Sequence, residues 1–351
     1  EYKTQNRGGV GQKSAGTRDQ DFLEHMFVAT NHQYMMFFTQ KGKCFWMRVY
    51  EIPEGSKTAK GRAIQNLVNI ESDDKVKAFI CTQDLKDKDY INSHNLIMVT
   101  KKGQVKKTSL EKYSKPRVNG VAAITIKEGD ELLEAKLTNG ESQIILAVKS
   151  GKLVRFEETK TRPMGRTASG VRGITLKDDT DEVIGMVTVD KDDINDSQIL
   201  VVTENGYGKR TKLVDEDGED VYRITNRGGK GVKTLNITEK TGKLISINAV
   251  TDADDLMIIN KSGLTIRMAI EDLRVMGRAT QGVKLINLKG KDSIAAVTKV
   301  MKDDVAEVVV DEDGNVIETE AIERIKPVLE ILEDEGVEED EEEDDVEEDE
   351  D

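Results

Sequence analysis

The sequence is poor in the two residue types that most often bind structural metals. It contains two cysteines and three histidines among 351 residues. Cys44 and Cys81 lie in or near apolar, strand-like runs and lack CxxC spacing, so we expect buried thiols in a reducing compartment rather than a disulfide or a zinc site. His25, His32 and His94 form neither an HExxH motif nor a cluster with cysteine. The sequence therefore predicts no metal site in this chain.

Long apolar runs and nucleotide-binding signatures are also missing. No apolar run approaches the roughly 18 residues that a membrane span requires. Residues 8–14, GGVGQKS, superficially resemble a phosphate-binding loop, but the GxxxxGK[ST] spacing is absent. The sequence begins at Glu1 in the middle of a pattern, with neither a signal peptide nor an initiator methionine. We therefore expect a cytoplasmic protein of which this chain is a fragment.

Acidic residues are concentrated at the C-terminal end. Residues 333–351 contain sixteen aspartates and glutamates and no lysine or arginine, whereas residues 303–332 contain ten acids and two basic residues. The whole chain has a net charge of −15, but residues 1–302 carry a net charge of about +9. We therefore expect a basic folded body and a disordered acidic tail, residues 326–351, because few apolar side chains there offset the entropy of ordering.

The body contains an internal repeat of about fifty residues, which is typical of propellers and solenoids. One element of the repeat is an apolar, β-rich run that ends at a glycine turn and continues into a second strand, the pattern of a hairpin. It occurs five times, as YMMFFTQKGKCFWMRV (34–49), NLIMVTKKGQVKKTSL (95–110), QIILAVKSGKLVRF (143–156), QILVVTENGYGKRTKL (198–213) and DLMIINKSGLTIRMAI (255–270).

A second element follows each hairpin after a basic loop and is anchored by another glycine. These glycines are spaced 50, 59, 50, 61 and 51 residues apart, which is enough for four short strands per repeat. Two of these loops align by eye, RPMGRTASGVRGITL (162–176) and RVMGRATQGVKLINL (274–288). The glycines are Gly11, Gly61, Gly120, Gly170, Gly231 and Gly282, the first being a sixth copy whose hairpin would lie upstream of Glu1.

The repeat predicts an all-β, propeller-like closed ring, because closure leaves only short edge strands exposed. We expect six four-stranded blades within residues 1–325. The boundaries expected are an incomplete blade at 1–30, blades near 31–90, 91–140, 141–195, 196–250 and 251–302, and a closing segment at 303–325. Phe37, Phe38 and Trp46 are expected to pack between blades.

Two glycine-rich loops carry the most informative motif, QNRGGVG (5–11) and TNRGGKG (225–231). Adjacent glycines after an arginine allow the backbone to approach another surface closely and to direct N–H groups and the arginine at phosphates. An ordinary cluster of β-turns is the alternative interpretation.

QNRGGVG resembles the seven-residue box, Gln-basic-Arg-Gly-Gly-basic-Gly, of the DNA gyrase A subunit, which distinguishes that family from topoisomerase IV. Asn6 and Val10 replace basic residues of the box, and Thr225 replaces its glutamine in the second copy. Residues 24–70 are similar to the first complete blade of the same family, and the likeness, with the repeats and the acidic tail, covers essentially the whole chain.

The resemblance implies a β-pinwheel that wraps duplex DNA around its rim, so that the gyrase holoenzyme introduces negative supercoils by ATP-dependent strand passage. The resemblance implies two partners, the gyrase B subunit and the N-terminal cleavage domain of the same polypeptide. It also implies that they assemble as an A2B2 heterotetramer. The cleavage tyrosine would lie outside this chain, and ATP and Mg²⁺ would be bound elsewhere in the holoenzyme. This chain would hold no catalytic residue, cofactor or metal of its own.

Basic residues recur at one position of the repeat, and on a ring they would form a curved track that bends DNA through backbone contacts, with little sequence readout. A role in solubility alone is the alternative for each. The candidate DNA-binding residues are Gln5, Arg7, Gly8, Gly9, Gly11, Lys13, Lys57, Lys60, Arg62, Lys115, Arg117, Arg162, Arg166, Arg172, Arg227, Gly228, Gly229, Lys230, Lys233, Arg274, Arg278 and Lys284.

Two other functional interpretations stay open. A topoisomerase IV C-terminal domain would share the blades and DNA binding but lack the intact box. A propeller that binds proteins would need no basic rim. The acidic tail either keeps the protein soluble or competes with DNA for the basic rim.

Overall fold

The computed structural model of the chain describes residues 12–13, 29–55, 61–83, 85–262, 264–288, 292–301, 309–310 and 316–317. The chain divides into two units, residues 1–301 and 302–351. Within the described ranges, no helix is long and apolar enough to cross a membrane.

The fold is built almost entirely from short strands. The single α-helix among the described residues, α1 (Lys88–Ser93), begins at Asp87, whose carboxylate accepts hydrogen bonds from the Asp89 and Tyr90 amides. Single 3-10 turns occur at Val49–Glu51, Ile64–Asn66, Leu110–Tyr113 and Glu158–Lys160. In chain order the strands are β1 (Gln12–Lys13), β2 (Tyr34–Thr39), β3 (Lys43–Arg48), β4 (Val76–Thr82), β5 (Asn95–Thr100), β6 (Gln104–Ser109), β7 (Val121–Ala122), β8 (Leu132–Thr138), β9 (Gln143–Val148), β10 (Lys152–Glu157) and β11 (Val171–Arg172). They continue with β12 (Val183–Val189), β13 (Gln198–Thr203), β14 (Tyr207–Lys212), β15 (Val232–Lys233), β16 (Leu244–Val250), β17 (Asp254–Asn260), β18 (Leu264–Ala269), β19 (Val283–Lys284), β20 (Ile294–Met301), β21 (Val309–Val310) and β22 (Val316–Ile317).

All five predicted hairpins are confirmed. β2–β3, β5–β6, β9–β10, β13–β14 and β17–β18 each pair antiparallel with their neighbour in sequence. Four of the turn glycines have φ values between 81° and 84°, a region that residues with a Cβ rarely adopt. Two strand-like runs with a polar, glycine-containing turn between them thus specify each hairpin locally.

The first four hairpins are each completed to four strands by one strand from their own repeat and one from the following repeat. The third strand pairs with the first hairpin strand, and a two-residue strand from beyond the next hairpin pairs with the second. Successive blades are therefore joined by exchanged backbone. The sheets are blade I (β4-β2-β3-β7), blade II (β8-β5-β6-β11), blade III (β12-β9-β10-β15), blade IV (β16-β13-β14-β19) and blade V (β20-β17-β18-β1).

The expectation of six blades is wrong, because the described residues contain five four-stranded sheets. Each of these sheets is built on a hairpin of the repeat, and residues 29–301 as described contain five such hairpins, whereas the sequence has six glycine elements. The strand after Gly11, β1, fills the fourth position of blade V, where Gln12 and Lys13 pair with Thr265 and Leu264. Residues 61–63, after the second glycine, form no strand. The number of blades thus follows the hairpins and not the glycines.

The core lies between the blades. Hairpin strands such as β9 and β13 are buried along their whole length, since a neighbouring blade packs on each face of their sheets. Phe38 is buried in a cluster shared by blades I and II, and half-buried Trp46 packs against that cluster, as expected; Phe37 is buried in a cluster formed by residues of the first repeat alone. Both thiols are free; Cys44 is buried, but Cys81 is half-buried at the side of blade I.

The third strands of the five blades, β4, β8, β12, β16 and β20, lie around a common channel of about 770 Å³. Its lining mixes apolar residues with Lys77, Lys136 and Lys299. Because these strands form one end of each sheet, the two-residue fourth strands lie at the opposite, outer end.

The second unit contains one described feature, the antiparallel pairing of β21 with β22, within the predicted closing segment. The predicted acidic tail, residues 326–351, lies outside the described residues.

Candidate nucleic-acid interface

The outer strand of most blades carries a basic residue at the same position. The second residue of the strand is Lys13, Arg172, Lys233 or Lys284, and each is paired in register with the beginning of the second hairpin strand. Blade I differs, because Ala122 stands there opposite Lys43. Arg172, Lys233 and Lys284 are exposed. Register therefore places these residues at equivalent backbone positions at the outer ends of four sheets.

Glycine fixes the approach of each outer strand to its hairpin. Gly170 has a φ of 84°, and a Cβ on it would lie 2.6 Å from the Val105 carbonyl oxygen. Gly231 has a φ of 71°, and its Cβ would lie 2.5 Å from the Leu153 carbonyl oxygen. Contacts this short are closed to any side chain, so the backbone can take this path only through glycine. The predicted glycine positions thus have a direct structural reason.

The loop before each of these glycines presents arginine. Arg166, Arg227 and Arg278 all stand four residues before their glycine. Arg227 and Arg278 are exposed, and Arg166 is half-buried. We call residues 162–170 and 274–282 the MGR loops, after the Met-Gly-Arg that both contain. The remaining candidates whose side chains are described, all exposed, are Arg62, Lys115, Arg117, Arg162, Lys230 and Arg274.

The second glycine-rich loop bridges two blades. The Gly228 amide donates to the Gly173 carbonyl at 2.6 Å, and the Thr175 hydroxyl donates to the Gly228 carbonyl at 2.7 Å. Arg227 donates from Nε to the Lys160 carbonyl at 3.1 Å and from Nη1 to the Arg172 carbonyl at 3.3 Å. The Gly228 N–H is thus engaged within the protein, and the loop places Arg227 beside Arg172.

A cavity of about 440 Å³ lies beside this loop and is open to solvent on one side. Arg223, Arg227 and Lys230 line it together with the backbone of Gly228 and Gly229. Three exposed cations at one concave surface form an environment suited to an anion such as a phosphate. The two glycines that were predicted as candidates therefore belong to the same surface as the cations.

The first glycine-rich box is not placed by the structure. Its candidates lie outside the described residues, and Lys13 is described only in its backbone. The candidates concerned are Gln5, Arg7, Gly8, Gly9, Gly11, Lys57 and Lys60.

Sequence reasoning missed a second set of cations that lies under the outer loops. Lys106 and Lys209 stand three residues after their hairpin glycines, and both are fully buried. Burial disfavours the ammonium and lowers the pKa of both lysines from 10.5 to about 8, with the charge of Arg166 adding to the effect on Lys106. Their signal in the sequence was a charged pair, Lys106-Lys107 and Lys209-Arg210, inside a strand that is otherwise buried.

The neighbouring position of the hairpin carries a buried cation that is neutralised by a carboxylate. Lys107 contacts Glu158 at 2.8 Å, with both side chains buried. Arg155 contacts Asp220 at 2.8 Å and donates to the Tyr222 carbonyl at 2.9 Å. Because each of these cations contacts a carboxylate, its charge is largely balanced inside the protein.

The outer cations contrast with the buried ones. Within the described ranges, none of the candidate lysines and arginines of the outer strands and loops forms an ion pair with a described carboxylate. The same part of the chain contains no cluster of histidine, cysteine, aspartate and glutamate that could hold a metal ion. Positive charge at the outer ends of the sheets is thus available to an external anion.

The chain matches one family model, described as the DNA gyrase C-terminal domain, beta-propeller, over residues 1–30, 33–83, 94–139, 143–190, 197–251 and 254–301. The DNA gyrase A subunit of Staphylococcus aureus strain MRSA252 is 39% identical over 326 residues, which are 92% of this chain and 35% of that protein. Its counterpart from strain NCTC 8325 is 40% identical over 302 residues, 86% of this chain and 33% of the relative. The chain therefore spans about a third of the length of these curated relatives.

Two solved structures share the fold. A DNA gyrase A C-terminal domain superposes with a TM-score of 0.70 at 23% identity, covering 86% of this chain and 93% of that one. The C-terminal domain of a DNA topoisomerase IV superposes with a TM-score of 0.66 at 23% identity, covering 77% and 80%. Six matched repeats, near 40% identity to the staphylococcal proteins and a common fold agree, and the chain belongs to the DNA gyrase C-terminal domain, beta-propeller, family.

Proposed function

We propose that this chain binds duplex DNA along the outer ends of its blades and bends it around them. The observation that carries the proposal is the equivalent placement of Arg172, Lys233 and Lys284 on successive outer strands, with Arg227 and Arg278 in the loops beside them. Cations that recur with the blades and are not balanced by carboxylates can neutralise successive parts of a DNA backbone.

Binding through phosphates makes the affinity depend strongly on salt and weakly on sequence. If the track neutralises roughly 6–10 phosphates, the affinity falls by about 10³–10⁵ between 50 and 200 mM salt. The one α-helix in the described residues, α1, is a six-residue helix in the connection between β4 and β5, and no long helix is present there to enter a groove and read base edges. Bending would instead select deformable DNA.

In the whole gyrase, we infer, the wrapped segment is delivered to the cleavage gate with a fixed handedness, so that ATP-driven strand passage introduces negative supercoils. The partners would be the gyrase B subunit together with the N-terminal cleavage domain of the same polypeptide, assembled as an A2B2 heterotetramer in the cytoplasm. ATP and Mg²⁺ would be bound by those other parts. This chain contributes DNA geometry and no covalent chemistry.

The first test is topological. The chain is bound to nicked circular plasmid, the nick is ligated, and the linking number is measured after the protein is removed. Chiral wrapping shifts the linking-number distribution in proportion to protein added. An unchanged distribution at saturating, low-salt binding would exclude wrapping, and an absence of binding would favour a protein-binding scaffold.

The second test locates the surface. The triple variant Arg172→Gln, Lys233→Gln and Lys284→Gln removes three outer cations, and we expect a loss of affinity and a shallower dependence on salt, by about 0.9 in the logarithmic slope for each phosphate that is no longer neutralised. The matched control, Lys77→Gln, Lys136→Gln and Lys299→Gln, removes three cations that line the central channel. Equal losses in the two triple variants would show that net charge, and not the outer surface, governs binding.

A further inference from the structure

Two buried lysines occupy the same place in alternate blades. Lys106 lies in β6 of blade II and Lys209 lies in β14 of blade IV, each in the strand that pairs with the outer strand. Neither side chain is exposed to solvent. A buried ammonium is unfavourable unless polar groups surround it, so each site must supply acceptors.

The acceptors come mainly from the MGR loops. The Lys106 ammonium donates to the Arg166 carbonyl and to the Ala123 carbonyl, both at 2.5 Å. The Lys209 ammonium donates to the Gly277 carbonyl at 2.5 Å and to the Thr280 hydroxyl at 3.1 Å. Hydrogen bonds from a charged donor are stronger than neutral ones. Each lysine therefore ties the backbone of an arginine-bearing loop to the hairpin beneath it.

Packing of the hairpin does not require a lysine at this position. Phe45, Val154 and Ile266 take the equivalent places in blades I, III and V, and all three are buried. The loop over blade III is the second glycine-rich loop, which is held instead through Gly228. The lysine thus accompanies the MGR loops, and in blade III, where the loop is fixed through Gly228, an apolar residue takes its place.

We propose that Lys106 and Lys209 are positioning residues for DNA binding, whose ammonium groups hold the MGR loops in the conformation that presents Arg166 and Arg278 to phosphates. The inference rests on the proposed function, because it assigns these lysines a role in the same interface. It differs from a direct electrostatic role, in which the buried charge would attract DNA independently of the loop.

A double-mutant cycle separates these two roles. Lys106→Met, Arg166→Ala and the double variant are compared in the 351-residue chain by their affinity for a duplex of fixed length at fixed salt, and the same is done for Lys209→Met and Arg278→Ala. If the lysine acts through the arginine, the double variant binds about as well as the weaker single variant, with a coupling of at least about threefold. Losses that multiply without coupling would overturn the proposal.

Two further variants control for packing and folding. Ile266→Met changes the side chain at the equivalent position of blade V, where no lysine is present, and it should leave affinity unchanged. Thr280→Val removes one acceptor of Lys209 without emptying the core, and it should reproduce part of the loss seen in Lys209→Met. Urea unfolding of each variant shows whether it is folded, and Thr280→Val tests the proposal even if the lysine variants do not fold.

The dependence of DNA affinity on pH distinguishes the proposed role from a purely structural one, because a purely structural role would not make affinity follow the protonation of these lysines. Between pH 7 and 9.5 the ammonium groups lose protons and become weaker donors, so affinity should fall in the native chain but not in the Lys106→Met, Lys209→Met variant. The titratable neighbours of Lys106 remain protonated there, because burial raises the pKa of Cys44 and of Tyr113. An identical pH profile in both proteins would contradict the inference.

Hydrogen exchange tests the tethering without DNA. The Ala168 amide donates to the Gly165 carbonyl, and the Thr280 amide donates to the Gly277 carbonyl, within the MGR loops. Both amides should exchange faster in the corresponding lysine variants, and unchanged protection would overturn the proposed tether. If the native chain does not bind DNA, the proposed function fails while this measurement still reports on the tether. If it binds but the cycles show no coupling, only the positioning role fails.

Discussion

Replacing Gly170 by alanine tests how the outer strands are held. The residue has a φ of 84°, and an alanine Cβ there would lie 2.6 Å from the Val105 carbonyl oxygen and 3.2 Å from the Lys106 Cβ. The left-handed conformation costs about 1–2 kcal/mol for a residue with a Cβ. Displacing the backbone to relieve the overlap costs about 1–3 kcal/mol more. We therefore expect Gly170→Ala to lower the free energy of unfolding by about 2–5 kcal/mol.

Two other glycines provide matched controls in the same chain. Gly61 also has a positive φ, 69°, but no atom lies within 4 Å of the position that a Cβ would take, so Gly61→Ala should cost only the conformational part, about 1–2 kcal/mol. Gly165 has neither a positive φ nor a close neighbour, so Gly165→Ala should be neutral or stabilise the fold by up to about 1 kcal/mol. The order of the three costs is the prediction.

Urea unfolding of the three variants measures these costs, and hydrogen exchange of β6 and β11 locates them. In Gly170→Ala the amides that join β11 to β6 should lose protection, whereas those of the β5–β6 hairpin should keep most of it. Equal destabilisation by Gly170→Ala and Gly61→Ala would refute the close approach as the reason for glycine.

Three other predictions concern buried groups. Lys107→Met leaves the Glu158 carboxylate buried without its cation, so the free energy of unfolding in urea should fall by about 3–5 kcal/mol, and a loss below about 1 kcal/mol would contradict the buried pair. Burial raises the pKa of the Cys44 thiol, so iodoacetamide at pH 8 should alkylate Cys44 only after unfolding. Mass spectrometry would locate the label, and rapid alkylation of Cys44 in the native chain would disprove the prediction. Burial lowers the pKa of Lys106 and Lys209 from 10.5 to about 8, so the unfolded chain binds more protons between these values and their contribution to stability rises from pH 8 to 10.5. Urea unfolding at several pH values should therefore show a steeper rise for the native chain than for the double methionine variant, and equal slopes would contradict the shifted pKa values.

The hairpins and their turn glycines were predictable because they are local. An apolar run of about six residues, a polar turn with glycine and a second run specify antiparallel pairing between neighbours, and all five such segments form hairpins. The family was also evident from the repeats and the glycine-rich box, and the family model confirms it.

The interface was only partly predictable. Arg172, Lys233 and Lys284 were identified from their recurrence after a glycine, but that each is the second residue of an outer strand depends on pairing with distant hairpins. Lys106 and Lys209 were missed, because a lysine in an apolar strand shows no partner until the loop from the next repeat covers it.

The sequence by itself determined the repeat, the hairpins and the glycines, since these depend on periodicity and on backbone freedom over a few residues. Only the tertiary structure decided that there are five blades, that blades I to IV take their outer strands from the following repeat, and that β1 completes blade V. A strand of two residues has no periodicity to detect, and its partner is chosen by which hairpin carbonyl a glycine can approach closely in space.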